Sequence, residues 1–122
     1  MNLDAISNIK LNQVFHANSL PMALCTKEFI FLDMNKGAEQ VLGYKKKELL
    51  GKSIMDITAV GDLSFDFQNL ENLLNGKINS YTIKRAYKNK EGEKVYGAIT
   101  SSLVEVEGEK YLLGIFFKST EE

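Results

Sequence analysis

The pattern of apolar and polar positions begins with a short amphipathic stretch that a proline closes. Leu3, Ile6 and Ile9 recur at three-residue spacing, which is typical of one face of a helix. We expect this helix to continue to Phe15. Pro21 ends it, because proline lacks an N–H donor and pushes the residue before it out of helical backbone. A new element therefore begins near Pro21.

Two apolar runs follow, and both are too short for helices. Met22–Thr26 and Phe29–Met34 are rich in aromatic or branched residues, and the polar pair Lys27 and Glu28 separates them. Short apolar runs on either side of a polar pair predict a tight β-hairpin.

Helical patterns come next. Asn35 is a suitable N-cap, because its side chain can accept a hydrogen bond from the first turn of a helix. The helix it starts should end at Gly43, since glycine readily adopts left-handed backbone. Its buried face is predicted to comprise Ala38, Val41 and Leu42. A further short turn of helix is expected at Tyr44–Leu50, closed by Gly51.

The clearest helical pattern lies beyond this region. Ile54–Val60 continues in short helical or irregular form until Asp62, which can cap a longer helix. Gly76 is the natural end of that helix. Its apolar residues lie four, three and four positions apart: Leu63, Phe67, Leu70 and Leu74.

The remainder of the chain has the character of strands. Tyr81–Lys88, Lys94–Val106 and Lys110–Lys118 are separated by short turn sequences, which predicts three long antiparallel strands. The order is therefore one helix, two strands, short helices, one longer helix and three strands. This order predicts an α+β domain: a five-stranded antiparallel sheet with short helices on one face and an N-terminal amphipathic helix.

The last strand indicates that both faces of the sheet are covered. Tyr111–Phe117 is apolar on both faces of the pleat, whereas a half-exposed strand alternates apolar and polar residues. The internal helices can cover one face. We expect the other face to pack against the N-terminal helix or a second subunit, which predicts a homodimer.

Several motifs resemble the PAS (Per-ARNT-Sim) sensor domain family. Phe15–Leu24 is similar to the start of such a domain, and Lys90–Gly92 is similar to the family's turn before the penultimate strand. More specific is Asp33–Ser53, which looks like the family signature of Asn and Ala followed by Gly-Tyr, Glu-Leu and Gly. The likeness runs from Leu3 to Lys118, which is nearly the whole chain.

The resemblance implies a sensory or dimerisation module of a cytoplasmic signalling protein, such as a sensor kinase of a two-component system, a cyclic-nucleotide enzyme or a transcription regulator. We assign residues 1–20 to an N-terminal helix and linker, 21–118 to the PAS-like domain and 119–122 to a tail. The function expected is binding of a small ligand, homodimerisation or both. The alternative is a ligand-free, tightly packed core that serves homodimerisation alone.

Two sets of residues are the candidates for these roles. The predicted walls of a ligand pocket are Leu42, Phe67, Leu70, Leu74, Ile83, Ser101 and Ile115. The predicted dimer interface comprises Leu3, Ile6, Ile9 and Phe117.

Composition narrows the classes of partner. The chain has 122 residues, 44% of them hydrophobic and 25% charged, which suits one globular domain. The net charge of −1 and the scattered lysines argue against nucleic acid as a partner. No apolar run approaches the length that a bilayer requires, and the N-terminus has no basic segment of the kind that begins a signal peptide, so neither a membrane partner nor export is expected.

The residues that could carry chemistry are few. His16 is the single histidine and Cys25 the single cysteine, so we interpret them as a partly exposed loop residue and a core residue, and no metal site is predicted. Asp66 could pair with Asp62, but Asp62 is better explained as a helix cap. The domain is therefore expected not to be an enzyme. The rival interpretation is a small enzyme that uses His16 or Asp66.

Comparison with the family bears on cofactors, although the identity of any cofactor stays open. Haem-binding members place a histidine on the long helix, and Asp62–Asn75 contains none. The flavin photoreceptors carry a reactive cysteine in a motif whose counterpart here, Gly61–Gln68, lacks it. The resemblance therefore argues against histidine-ligated haem and against covalent flavin chemistry.

Overall fold

The computed structural model describes residues 11–60 and 63–119 and shows five helices and six strands in those ranges. The helices are α1 (Leu11–Ala17), α2 (Lys36–Leu42), α3 (Lys46–Leu49), a 3-10 helix (Ile54–Ile57) and α4 (Leu63–Leu74). The strands are β1 (Met22–Cys25), β2 (Phe31–Met34), β3 (Thr58–Val60), β4 (Ser80–Lys88), β5 (Lys94–Val106) and β6 (Glu109–Lys118). None of the helices in the described ranges is long and apolar enough to cross a membrane.

The strands form one antiparallel sheet in the order β2-β1-β6-β5-β4-β3. The predicted α+β class and antiparallel sheet are confirmed, with six strands in place of five. The sixth strand, β3, pairs with β4 through Thr58 and Val60, a stretch predicted to be short helical or irregular. Three residues are too few to show the alternating pattern of a strand in the sequence. They form a strand because they pair with β4.

The two faces of the sheet follow from the pleat. Along β5, Val95 and Ile99 point to the same face, and their partners Tyr87 and Phe116 lie on that face too. We call it the inner face, because α2, α3, α4 and the 3-10 helix contribute buried residues to the same hydrophobic core. Phe31 and Met34 of β2 are among its most deeply buried side chains. Burial of a side chain of this size contributes roughly 1.5–3 kcal/mol.

Helix boundaries agree with the capping signals in the sequence. The Asn35 side chain accepts a hydrogen bond from the Ala38 N–H, which confirms Asn35 as the N-cap of α2. Gly43 ends α2 with a φ of 77°, as predicted. Within α2, Ala38 and Leu42 lie one turn apart and are both buried. The predicted cap of α4, Asp62, lies outside the described residues.

The segment before β1 is anchored through Asn35. Helix α1 continues past Phe15 to Ala17, and Phe15 is buried. The amide nitrogen of Asn35 lies within hydrogen-bond distance of the carbonyl oxygens of Phe15, Asn18 and Leu20, at 3.1, 2.9 and 2.7 Å. The earlier part of the predicted helix, which includes Leu3, Ile6 and Ile9, lies outside the described residues.

Candidate functional site

A cavity of about 60 Å³ lies against the inner face of the sheet, and we call it the central cavity. Its sheet side is formed by apolar residues of β1, β5 and β6, including Ala23, Ile99 and Leu112. Phe29, from the β1–β2 loop, and Met55, from the 3-10 helix, contribute apolar groups from outside the sheet. The wall is mostly apolar, so it suits the body of a small organic molecule.

Polar groups enter this apolar wall from one side. Tyr81 and Arg85 come from β4, Ser101 from β5 and Thr58 from β3. The Thr58 hydroxyl donates to the carbonyl of Ile54 at 2.9 Å, which fixes its orientation. A few polar groups in an otherwise apolar wall are the usual means by which a protein orients a small ligand.

The sequence analysis missed Arg85, as it missed Phe29, Met55, Thr58 and Tyr81 in the same wall. Arg85 is only 5% exposed, its Nη1 atom is buried, and it makes an interaction within the fold. The signal that could have found it is the period of two along a strand: Ile83 was predicted to point inward, and Arg85 shares its face. Burial of a guanidinium is costly unless hydrogen bonds and opposite charge compensate it, so this position is unusual for a surface-type residue.

Phe29 forms part of the wall in a strained conformation. Its φ is 66°, a left-handed value that bulky residues rarely adopt. Its ring packs edge-to-face on Phe67 of α4, with ring centroids 5.7 Å apart. Phe67 is itself 52% exposed. The aromatic pair therefore links the β1–β2 loop to α4 beside the cavity.

The other predicted pocket residues occupy different places. Ser101 lines the central cavity, and Leu42 lines a smaller neighbouring cavity of about 30 Å³. Leu70 is buried in the core, and Leu74 packs against that core from a partly buried position. Ile83 is half-buried on the inner face and is not among the residues described as lining either cavity.

Ile115 is a correction. It was predicted to point inward, but its neighbours Gly114 and Phe116 line the smaller cavity, which puts the side chain of Ile115 on the opposite face of β6. Because β6 is apolar on both faces, its sequence alone did not distinguish the two faces.

Cys25 lies in the wall of the central cavity as a buried free thiol. Burial raises the pKa of this thiol to about 12, because the charged thiolate is disfavoured away from water. The thiol therefore stays protonated at neutral pH. This protonation state is consistent with the interpretation of Cys25 as a core residue and gives it little nucleophilic character.

His16 does not contribute to the described wall of the central cavity. It lies in the last turn of α1, not in a loop as predicted, and its Nε2 is 3.1 Å from Asp33 Oδ2. Lys46 Nζ lies 2.7 Å from the other carboxylate oxygen of Asp33. Partial burial alone would raise the pKa of Asp33, but hydrogen bonds from Lys46, the Met34 N–H and His16 lower it overall. The cluster joins α1, β2 and α3 and has the character of a structural link.

Comparison with known proteins identifies the family. The family model for the PAS domain matches residues 19–121. The chain belongs to the PAS domain family.

This PAS domain is similar to a short part of a much longer protein. It is 37% identical over 87 residues to a probable diguanylate cyclase, DgcE, of Escherichia coli (strain K12), a match that spans 71% of this chain and 8% of that protein. The chain therefore corresponds to a small part of DgcE. The family and this similarity support a role for this PAS domain as a sensor in signal transduction.

Solved PAS domains share its fold. The PAS domain of an HTR-like protein from Haloarcula marismortui is 19% identical, with a TM-score of 0.76 over 96% of this chain and 94% of that one. The PAS domain of nitrogen regulation protein NR(II) from Vibrio parahaemolyticus is 16% identical, with a TM-score of 0.72 over 91% and 100%.

Proposed function

We propose that this PAS domain senses a small molecule in the central cavity and is a regulatory part of a cytoplasmic signalling protein. The observation that carries the proposal is the cavity wall, in which a few polar side chains, Arg85 among them, interrupt an apolar surface. Ligand sites in proteins commonly have this composition. The proposal assigns the domain no reaction of its own. Its output protein would be of the class of sensor kinases, cyclic-nucleotide enzymes or transcription regulators.

A chain of contacts supports α1 as the route by which a signal leaves the cavity. Ala23 lines both cavities, and the neighbouring Met22 lines the smaller one. The Met22 N–H donates to the Asn35 side chain at 3.0 Å, and Asn35 in turn holds the carbonyl of Phe15 in α1. A ligand that displaces β1 would therefore disturb the anchor of α1.

Blocking the cavity is expected to abolish ligand binding. Ser101→Leu adds apolar volume inside the wall, so small molecules should no longer fit beside Ile99 and Gly114. We would measure the thermal unfolding midpoint with millimolar butyrate, n-butanol and butylamine. In the wild type at least one probe should raise the midpoint by about 3 °C or more, because binding to the folded state stabilises it. In Ser101→Leu none should.

Ser102→Leu is the matched control, because Ser102 is the next residue of β5 and points to the opposite face. It should respond to the probes as the wild type does. The proposal fails if none of the three probes stabilises the wild type, or if Ser101→Leu responds as strongly as Ser102→Leu.

A second candidate function, homodimerisation, is favoured by the face of the sheet opposite the cavities. Phe117 is 47% exposed there, and Tyr111, Leu113 and Ile115 lie half-buried on the same face of β6. An apolar strip of this kind is typical of protein contacts. A second copy of the chain would cover it, in agreement with the dimer expected from the sequence.

Phe117→Asp is expected to weaken such a dimer about tenfold or more, because it places a charge in an apolar contact. Sedimentation equilibrium would give the dissociation constant. Leu50→Asp, at an exposed apolar residue that follows α3, is the control and should leave the mass unchanged. A monomeric wild type, or an equal mass for both variants, would refute dimerisation through this face.

A further inference from the structure

The charge in the central cavity indicates which class of ligand it takes. Among the residues described as lining this cavity, Arg85 is the single charged one. Its guanidinium carries a permanent positive charge and five N–H donors in a planar fork. It belongs to β4, where it lies opposite Gly97 of β5, a residue without a side chain of its own.

A cation in an apolar wall favours an anion over a neutral molecule. Away from water the attraction between opposite charges is stronger, and the cost of burying the guanidinium is reduced when a ligand brings the opposite charge. Arg85 already makes an interaction within the fold. Its five donors allow one group to be bound in the fold and a second to be bound by the ligand.

The shape of the guanidinium narrows the choice further. Two parallel N–H groups match the two oxygens of a carboxylate, and this bidentate geometry gives both strength and orientation. The part of the wall across the sheet from Arg85 suits a hydrocarbon chain, because Cys25 and Leu112 are apolar there. They lie on the paired strands β1 and β6, and β5 lies between these strands and β4. Phe29 adds an aromatic surface.

We propose, as an extension of the proposed sensory function, that the ligand is a small aliphatic carboxylic acid whose carboxylate accepts hydrogen bonds from Arg85. Its hydrocarbon part contacts Cys25, Phe29 and Leu112. The size follows from the cavity volume of about 60 Å³, which has room for roughly four to six water-sized groups. A monocarboxylic acid with a short chain has this size.

Calorimetry with butyrate and its neutral isostere butyramide tests the inference. The wild type should bind butyrate about tenfold or more tightly than butyramide, because only the acid forms a charge-assisted pair with Arg85. Arg85→Gln should remove this preference while it changes the affinity for butyramide less than about threefold. Arg85→Lys keeps the charge without the planar fork and should retain part of the preference. Solutions are matched in ionic strength with sodium chloride.

A spectroscopic measurement keeps the test independent of whether the variants fold. In wild-type protein labelled with ¹⁵N arginine, butyrate should shift the side-chain resonance of Arg85, and butyramide should not. Equal affinity for butyrate and butyramide, or no shift of Arg85 on saturation with butyrate, overturns the acid assignment alone. Failure of butyrate, butyramide, n-butanol and butylamine to bind overturns the proposed ligand-sensing function with it.

Discussion

Asn35→Ala is expected to lower the free energy of unfolding by roughly 3–5 kcal/mol, which is near the upper end of the losses that single substitutions cause. The asparagine is 1% exposed, and its oxygen accepts hydrogen bonds from the N–H groups of Met22 and Ala38 at 3.0 Å each. Its nitrogen holds the carbonyl oxygens of the segment that connects α1 to β1. Alanine leaves these groups without their partner, and because the hydrogen bonds to Met22, Ala38 and Phe15 are buried, several desolvation costs add.

Urea denaturation measures this loss, and Asn89→Ala provides the matched control. Asn89 also accepts a backbone N–H, that of Glu93 at 2.8 Å, but it does so in the exposed turn between β4 and β5. Its replacement should cost about 1 kcal/mol or less. Limited proteolysis should also cut Asn35→Ala faster near Asn18, because the anchor of α1 is lost. Equal stabilities for the two variants would show that the buried network contributes little.

Gly37→Ala is expected to destabilise the domain by about 2–4 kcal/mol, although alanine in a helix normally stabilises by about 1 kcal/mol relative to glycine. Gly37 lies in the first turn of α2, and a Cβ atom at this position would fall within collision distance of the Ser19 carbonyl oxygen and the backbone of Leu20 and Pro21. Backbone atoms cannot move aside as a side-chain tip can, so the segment before β1 must separate from α2.

Whether Gly37→Ala lowers or raises the stability tests how closely the segment before β1 approaches α2. Gln40→Ala, at an exposed position of the same helix, should leave stability within about 0.5 kcal/mol of the wild type. Thermal unfolding of both variants gives the comparison. A Gly37→Ala protein as stable as Gln40→Ala would mean that the segment before β1 can move away from α2 without cost.

The two variants address the same junction from different sides, so their effects should not be additive. Asn35→Ala removes the hydrogen bonds that hold the segment before β1 against α2. Gly37→Ala instead places a methyl group where the backbone of that segment lies. Once the segment has separated in one variant, the second substitution has less to disturb, and contacting residues commonly show such coupling. A double variant should therefore lose less stability than the sum of the single losses.

The local pattern of the sequence by itself determined most of the elements. The capping asparagine at 35, the glycine at 43 and the polar pair between the first two strands act through residues within four positions of one another, so they can be identified without a fold. The long strands and their turns were predicted to within one residue at each end. Together with the PAS signature, these signals were sufficient for the class of the domain and its family.

Only the tertiary structure determined which strands pair, which face of the sheet each side chain occupies and where the cavity lies. Met22 pairs with Ile115 across 93 positions of the sequence, a contact that no local pattern specifies. On β6 a shift by one residue exchanges the two faces, and because both faces are apolar the sequence did not distinguish Gly114 from Ile115. The period of two places Arg85 on the face of Ile83, but only the packing of helices and loops over the sheet shows that a cavity lies beside Arg85. Long-range packing therefore selects the functional wall from strands whose local sequence allows either face.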